Sequence, residues 1–262
     1  MTLAIYKLVR TDFERMAVWL LMLSSGTRQV QKGQKAERGF PPVDTVENDP
    51  RVVFCRELAE AQGPTKPSHD LDHVRRVVAL SVHIARVEGA DLVTVACSAW
   101  LHDMERGRED AGGEDHAVAG ARMAREVLSR STDFDREEVE AIADAIASHR
   151  FRSGPSPGSI EAKCLFDADK LDALGAVGVG RAYMMAGEHG QRLHSDVEKN
   201  ASARHVGEID HSRYSPVEEH TVKLRHLPQR MTTGEGRRLA ERRAAFMSSF
   251  FKELEAEVEG ER

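Results

Sequence analysis

From Asn48 onward the apolar residues recur at three- and four-residue intervals, which predicts one helix after another. Asp49-Pro50 supplies an N-cap and a proline at the first helical position. Val53, Phe54, Leu58 and Ala61 follow at helical spacing until Gly63-Pro64. A loop through Pro67-Ser68 leads to a second helix, Leu71 to Glu88, with Val74, Val77, Val78, Val82 and Ala85 on one face and Gly89 as its stop. Asp91 starts a third helix, whose apolar run ends in His102-Asp103. The charged, glycine-containing stretch Glu105 to Gly113 predicts a loop. His116 to Leu128 predicts a fourth helix, and a fifth is capped by Asp133 or Asp135 and ends at His149, with Val139, Ile142, Ala143 and Ile146 inward.

A proline- and glycine-rich loop, 153–158, separates these from a helix over Ile160 to Leu171. Ala173 to Ala186 predicts another, whose Gly175, Gly178 and Gly180 suggest close packing against a neighbour. A long polar excursion spans Gly187 to Ser215. Helix resumes at Pro216, and Thr233 to Glu259 closes the chain with a period near 3.6. No segment alternates with period 2 for long enough to require a sheet, so the fold class is all-α.

Residues 1–46 differ in character from the rest of the chain. The apolar run Met16 to Leu23 is too short to span a bilayer, and Asp12 and Glu14 do not suit a signal peptide. The polar stretch Thr27 to Gly39 and Pro41-Pro42 have the composition of a partly disordered extension. The expected organisation is therefore an N-terminal extension, 1–46, and one helical domain, 47–262.

Composition narrows the function classes. The 262 residues are 40% apolar and 31% charged, as in an ordinary globular protein. A formal net charge of −6 offers no basic footprint for nucleic acid or a membrane surface. Cys55, Cys97 and Cys164 are odd in number, far apart and set among apolar residues. They read as buried thiols in a cytoplasmic protein, not as disulfides or a zinc site. Self-association is compatible with the sequence.

The candidate chemistry lies in histidines and acids at predicted helix ends. His69 and His73 flank the start of the second helix, with Arg76 one turn beyond. His102-Asp103 ends the third, His116 starts the fourth, His149 ends the fifth, and Asp167 to Asp172 closes the sixth. In an antiparallel bundle such ends can converge. Imidazoles with carboxylates suit a divalent ion such as Mn, Fe, Ni, Zn or Mg. Arg76 and Lys170 are the cations for a phosphate, although Arg76 could instead pair with Asp72 or Asp103. His69 is either a substrate contact or simply next to the capping residues Asp70 and Asp72. Asp172 reads as an N-cap for the helix after it. Metal, carboxylates and cations together point to hydrolysis of a phosphoester or phosphoanhydride.

The order His73-x-x-Arg76-Val77, His102-Asp103, Asp169 resembles the HD superfamily of metal-dependent phosphohydrolases. The segments Ser68 to Val77 and Asp167 to Gly178, with the tail Leu224 to Met247, resemble its YedJ-like branch, over about residues 50–258. The resemblance implies an HD-type helical bundle. It implies His73, His102, Asp103 and Asp169 as metal ligands, with Asp103 central to catalysis. His116 and His149 match histidines that bind a second metal or the substrate phosphate. It also implies a small phosphate compound, a nucleotide above all, as substrate. The Gly-Lys that follows His-Asp in cyclic-di-GMP phosphodiesterases of the HD-GYP type is missing here. The alternative is a nucleotide-binding sensor or interaction module that keeps the metal without turnover.

Overall fold

A computed structural model of the chain describes residues 46–62, 70–110, 112–150, 155–195 and 215–261. Ten α-helices and one 3-10 helix lie within them, and none of these residues forms a strand. The helices are α1 (Pro50–Gln62), α2 (Leu71–Glu88), α3 (Leu92–Leu101), α4 (Arg106–Asp110), α5 (His116–Leu128), α6 (Arg136–Ser148), α7 (Ile160–Leu171), α8 (Gly175–Glu188), α9 (Pro216–Val222) and α10 (Gly234–Glu259). The 3-10 turn Leu224–Arg230 lies between α9 and α10. None of the described helices is long and apolar enough to cross a membrane. His69, the run Met16 to Leu23 and most of the excursion after Gly187 fall outside the described residues.

The bundle is built around α3. Every residue of this helix except Val93 is buried, as a helix apolar on all sides requires. It packs against α1, α2, α6 and α7, while α5 lies along α6 and α10 runs along α8. Side-chain caps set the helix starts, and these starts and stops position the site. Asp70 accepts from His73 N at 3.0 Å, Asp91 accepts from Thr94 N at 2.7 Å, and Asp115 caps α5. Asp135, not Asp133, caps α6 in a reciprocal capping box with Glu138. Gly89 ends α2 in the left-handed region, φ 77°.

The long terminal helix is fastened to α7 by one buried carboxylate. Asp167 accepts hydrogen bonds from the backbone N–H groups of Thr232 and Thr233, both at 2.8 Å, and from both threonine hydroxyls, at 3.0 and 2.7 Å. Thr233 also caps α10. Gly236 lies against this clamp: a Cβ there would stand 2.2 Å from Asp167 Oδ2 and 2.7 Å from Thr233 Oγ1. We expect Gly236→Ala to destabilise the protein by about 1–3 kcal/mol through overpacking, read as a lower urea midpoint. An unchanged midpoint would show that the clamp yields without loss.

Four local expectations need correction. α1 buries Val52, Cys55, Leu58 and Ala59, leaving Ala61 exposed and Val53 and Phe54 half-buried. The small Cys55 faces Cys97 of α3, so contact with the central helix, not maximal apolarity, sets the rotation of α1. On α2, Ile84 is buried and Val82 only half-buried. The stretch expected as loop after Asp103 contains α4. Of the three α8 glycines, two are packed: Gly175 under the Arg243 side chain and Gly178 against Ala173 O. Gly180 faces open space.

Candidate metal centre

Five helices deliver four histidines and two aspartates to one place. His73 stands in the first turn of α2, His102 caps the C-terminus of α3 and Asp103 follows it. His116 is the first residue of α5, His149 caps the C-terminus of α6, and Asp169 lies in the last turn of α7. The four imidazoles form a continuous row, with ring centroids 5.4 Å apart from His73 to His102, 5.2 Å from His102 to His149 and 5.1 Å from His149 to His116. All four rings and Asp103 are buried. Asp169 keeps 19% of its side chain exposed and marks the open side of the cluster.

The Nδ1 atom of each ring is held by a group that can only accept. His102 Nδ1 donates to Ala99 O at 2.8 Å and His149 Nδ1 donates to Ile146 O at 2.6 Å, each a carbonyl in the last turn of its own helix. His73 Nδ1 donates to Asp172 Oδ2 at 2.7 Å, and His116 Nδ1 to Glu109 Oε2. Carbonyl and carboxylate oxygens have no proton to give, so the hydrogen sits on Nδ1 and Nε2 faces inward.

What Nε2 faces is Asp103. Its Oδ2 lies 3.6 Å from His73 Nε2 and 3.7 Å from His102 Nε2, and its Oδ1 lies 3.3 Å from His116 Nε2 and 3.8 Å from His149 Nε2. His73 Nε2 is also 3.5 Å from Asp169 Oδ1. Most of these separations are too long for a hydrogen bond. They approach the roughly 3.0–3.5 Å between ligand atoms that share an ion about 2.1 Å from each. Two groups have ligand atoms all within 4.8 Å of one another: His73, His102 and Asp169, and Asp103, His116 and His149. His102 Nε2 is buried with no hydrogen-bond partner, a state that leaves a polar atom unsatisfied unless something else binds it. The donor set and this atom fit a divalent metal.

The electrostatics suit the same role. Burial alone would raise the Asp103 pKa, but attraction to His102, the hydrogen bond with His116 and the other two imidazoles hold it well below the usual carboxylate range. Asp169 is likewise held well below: Lys170, His102, His73 and His149 outweigh its burial. Burial pushes His102 down despite Asp103 and Asp169, and burial with the neighbouring His102 pushes His149 down to about 3. Both rings are therefore neutral, and both aspartates ionised, at neutral pH. For His116, the bonds to Asp103 and Glu109 overcome burial and raise the pKa.

Around this cluster the expected cations separate. Lys170 Nζ donates to Asp169 Oδ2 at 2.7 Å and to His149 O at 2.8 Å, and lies over the Phe166 ring. Arg76 pairs with neither Asp72 nor Asp103. Its fork grips Asp172, Nε to Oδ1 at 2.8 Å and NH2 to Oδ2 at 3.0 Å, so it reaches the cluster only through that residue. Asp172 is not the N-cap of α8, a position held by Leu174. It is fully buried and also accepts from His73 Nδ1 and from Arg181 at 2.9 Å. Four contacts on one carboxylate hold it deep in the fold, at the C-cap of α7 and not at the start of α8.

Sequence reasoning missed Glu109 and Arg150 as well. Glu109 orients His116, and Arg150 bridges Glu109 and Asp115. Arg106 was missed too; its NH1 lies 3.2 Å from His116 Nε2. Glu109 and Arg106 belong to the segment expected as loop, where charge alone did not reveal that the chain folds back onto the site.

Comparison with known proteins agrees with this geometry. The family model of the HD domain matches residues 70–174. The uncharacterized protein YpgQ of Bacillus subtilis (strain 168) is 34% identical over 198 residues, which cover 73% of this chain and 85% of that protein. The structure of Bacillus subtilis YpgQ in complex with ADP is similar with a TM-score of 0.60 at 29% identity, covering 79% of this chain and 97% of that one. A predicted HD superfamily hydrolase from an uncultured Thermotogales bacterium is similar with a TM-score of 0.52 at 27% identity, over 82% of this chain and 92% of that one.

Proposed function

The chain belongs to the HD superfamily, and on that premise we propose that it is a divalent-metal-dependent phosphohydrolase cleaving a phosphoester or phosphoanhydride of a nucleotide. The observation that carries this reading is the row of four imidazoles, each anchored at Nδ1 and turned by Nε2 towards Asp103. His73, His102, Asp103 and Asp169 would hold one ion, and His116 and His149, sharing Asp103, a second. Mixed nitrogen and oxygen donors suit Mn, Fe, Ni or Zn, and the carboxylates extend the range to Mg. A bound divalent ion supplies Lewis acidity, polarising a phosphoryl oxygen and acidifying water.

The protein's own groups do the rest. Ionised Asp103 and Asp169 and neutral His102 and His149 are ready to donate lone pairs without losing a proton first. Lys170, fixed beside the exposed edge of Asp169, balances phosphate charge there. Arg106 stands at the His116 end of the row as a second phosphate contact. Arg76 is a positioning residue that holds Asp172, which in turn holds the His73 ring. The relative crystallised with ADP supports a nucleotide as the compound bound, and the HD superfamily hydrolase among the similar structures supports turnover.

A panel of nucleoside mono-, di- and triphosphates tests the reading. With added Mn, the purified protein should release phosphate or pyrophosphate from at least one member, and a chelator should stop it. Tight nucleotide binding with no release under any metal would replace the enzyme by a sensor.

A further inference from the structure

Beside Asp172 lies a cavity of about 290 Å³ lined by Arg76, Ala79, Leu80, Asp172, Val177 and Arg243, with none of the candidate metal ligands among its lining residues. Its charges are not balanced. The one carboxylate, Asp172, is shared between Arg76 and Arg181. Nearby on α2, Asp72 pairs with Arg75 and Asp70 caps the helix. Arg243 is half-buried, and no described carboxylate lies within ion-pairing distance of it. Its hydrogen bond goes to a neutral acceptor, Leu171 O, at 2.6 Å.

A desolvated guanidinium is normally paired, because removing the charge from water is costly. Here the second Arg at the same cavity is already engaged by a shared carboxylate. The backbone assists the arrangement. Gly175, at φ 73°, lets the Arg243 stem lie against α8, since a Cβ there would be 3.1–3.2 Å from it. The volume is at the lower end of small-molecule pockets, about 300 Å³, so the occupant is smaller than a nucleotide.

We propose that this cavity is a binding site for a small phosphate-class oxyanion, held by Arg243 and Arg76 and separate from the metal centre. It does not depend on the enzymatic reading. Bidentate guanidinium contacts select oxyanions over halides.

Titration calorimetry with inorganic phosphate on the full-length protein tests it. Wild type and Asp103→Asn should both bind phosphate at this cavity, whatever wild type binds in addition at the metal centre. Arg243→Gln should weaken that binding by about tenfold or more, the effect of losing a charged hydrogen-bond donor. Val177→Phe fills the cavity from a partly exposed position without touching a charge, and should also abolish binding, which guards against a folding defect in the Arg243 variant. Binding that survives both cavity substitutions and disappears in Asp103→Asn would place the phosphate on the metal centre and overturn the proposal. No binding by wild type would overturn it as well.

Discussion

Replacing Asp103 by Asn is expected to abolish both metal retention and hydrolysis, with kcat/KM falling on the order of a thousandfold. Residues that merely orient a metal ligand cost about 10–100-fold when removed. Asp103 faces all four imidazoles, with an oxygen 3.3–3.8 Å from each Nε2, so its loss exceeds that range. Asparagine keeps the shape and fills the same buried volume, so the fold should survive. It removes the negative charge that makes the site attractive to a cation. Elemental analysis of the purified variant, alongside the nucleotide assay, checks both halves. Near wild-type turnover by Asp103→Asn would remove Asp103 from the ligand set.

The second large effect concerns Asp172. Burial alone would raise its pKa, but the hydrogen bonds from His73 and Arg76 and the charge of Arg181 hold it far below the usual range. Asp172→Ala leaves two guanidiniums without their shared anion and releases the His73 ring. Breaking a buried pair from one side costs about 3–5 kcal/mol, and Arg76 is partly solvent-exposed, so the lower end is expected. The sign of the pH dependence follows from the depressed folded-state pKa. The stabilisation is fully present above about pH 4, the unfolded value, and is lost as pH falls below it. The gap between wild type and variant in urea midpoint should therefore be wide at pH 7 and narrow as the pH falls towards 2. Metal affinity at pH 7 should also fall about 10–100-fold, because Nδ1 of His73 loses the acceptor that fixes its tautomer. A gap that stays constant with pH would show that Asp172 acts through packing and not through its charge.

Much of the helix framework was legible because local rules agree with tertiary packing. The bounds of α2, α5 and α7 follow directly from capping residues, glycine stops and apolar spacing. The rotation of α1 was not legible, because small residues such as Cys55 and Ala59 carry little hydrophobic signal yet allow the closest approach to α3. In the site, His73, His102, Asp103, His116, His149 and Asp169 were singled out as chemically apt residues at helix ends, and the fold brings these six together. The residues that orient them were hidden. Asp172 and Glu109 act across 99 and 7 residues of sequence on His73 and His116, and an isolated acid gives no sign of which ring it will meet. Arg76 shows the converse: its spacing from His73 was readable, but its partner 96 residues away was not.

The most direct test of the metal centre is anomalous scattering from crystals of the protein grown with manganese. One peak is expected in contact with His73 Nε2, His102 Nε2 and Asp169, and another against His116 Nε2 and His149 Nε2, with Asp103 between them. Crystals in which manganese is absent from this row of imidazoles, or bound only elsewhere, would contradict the assignment.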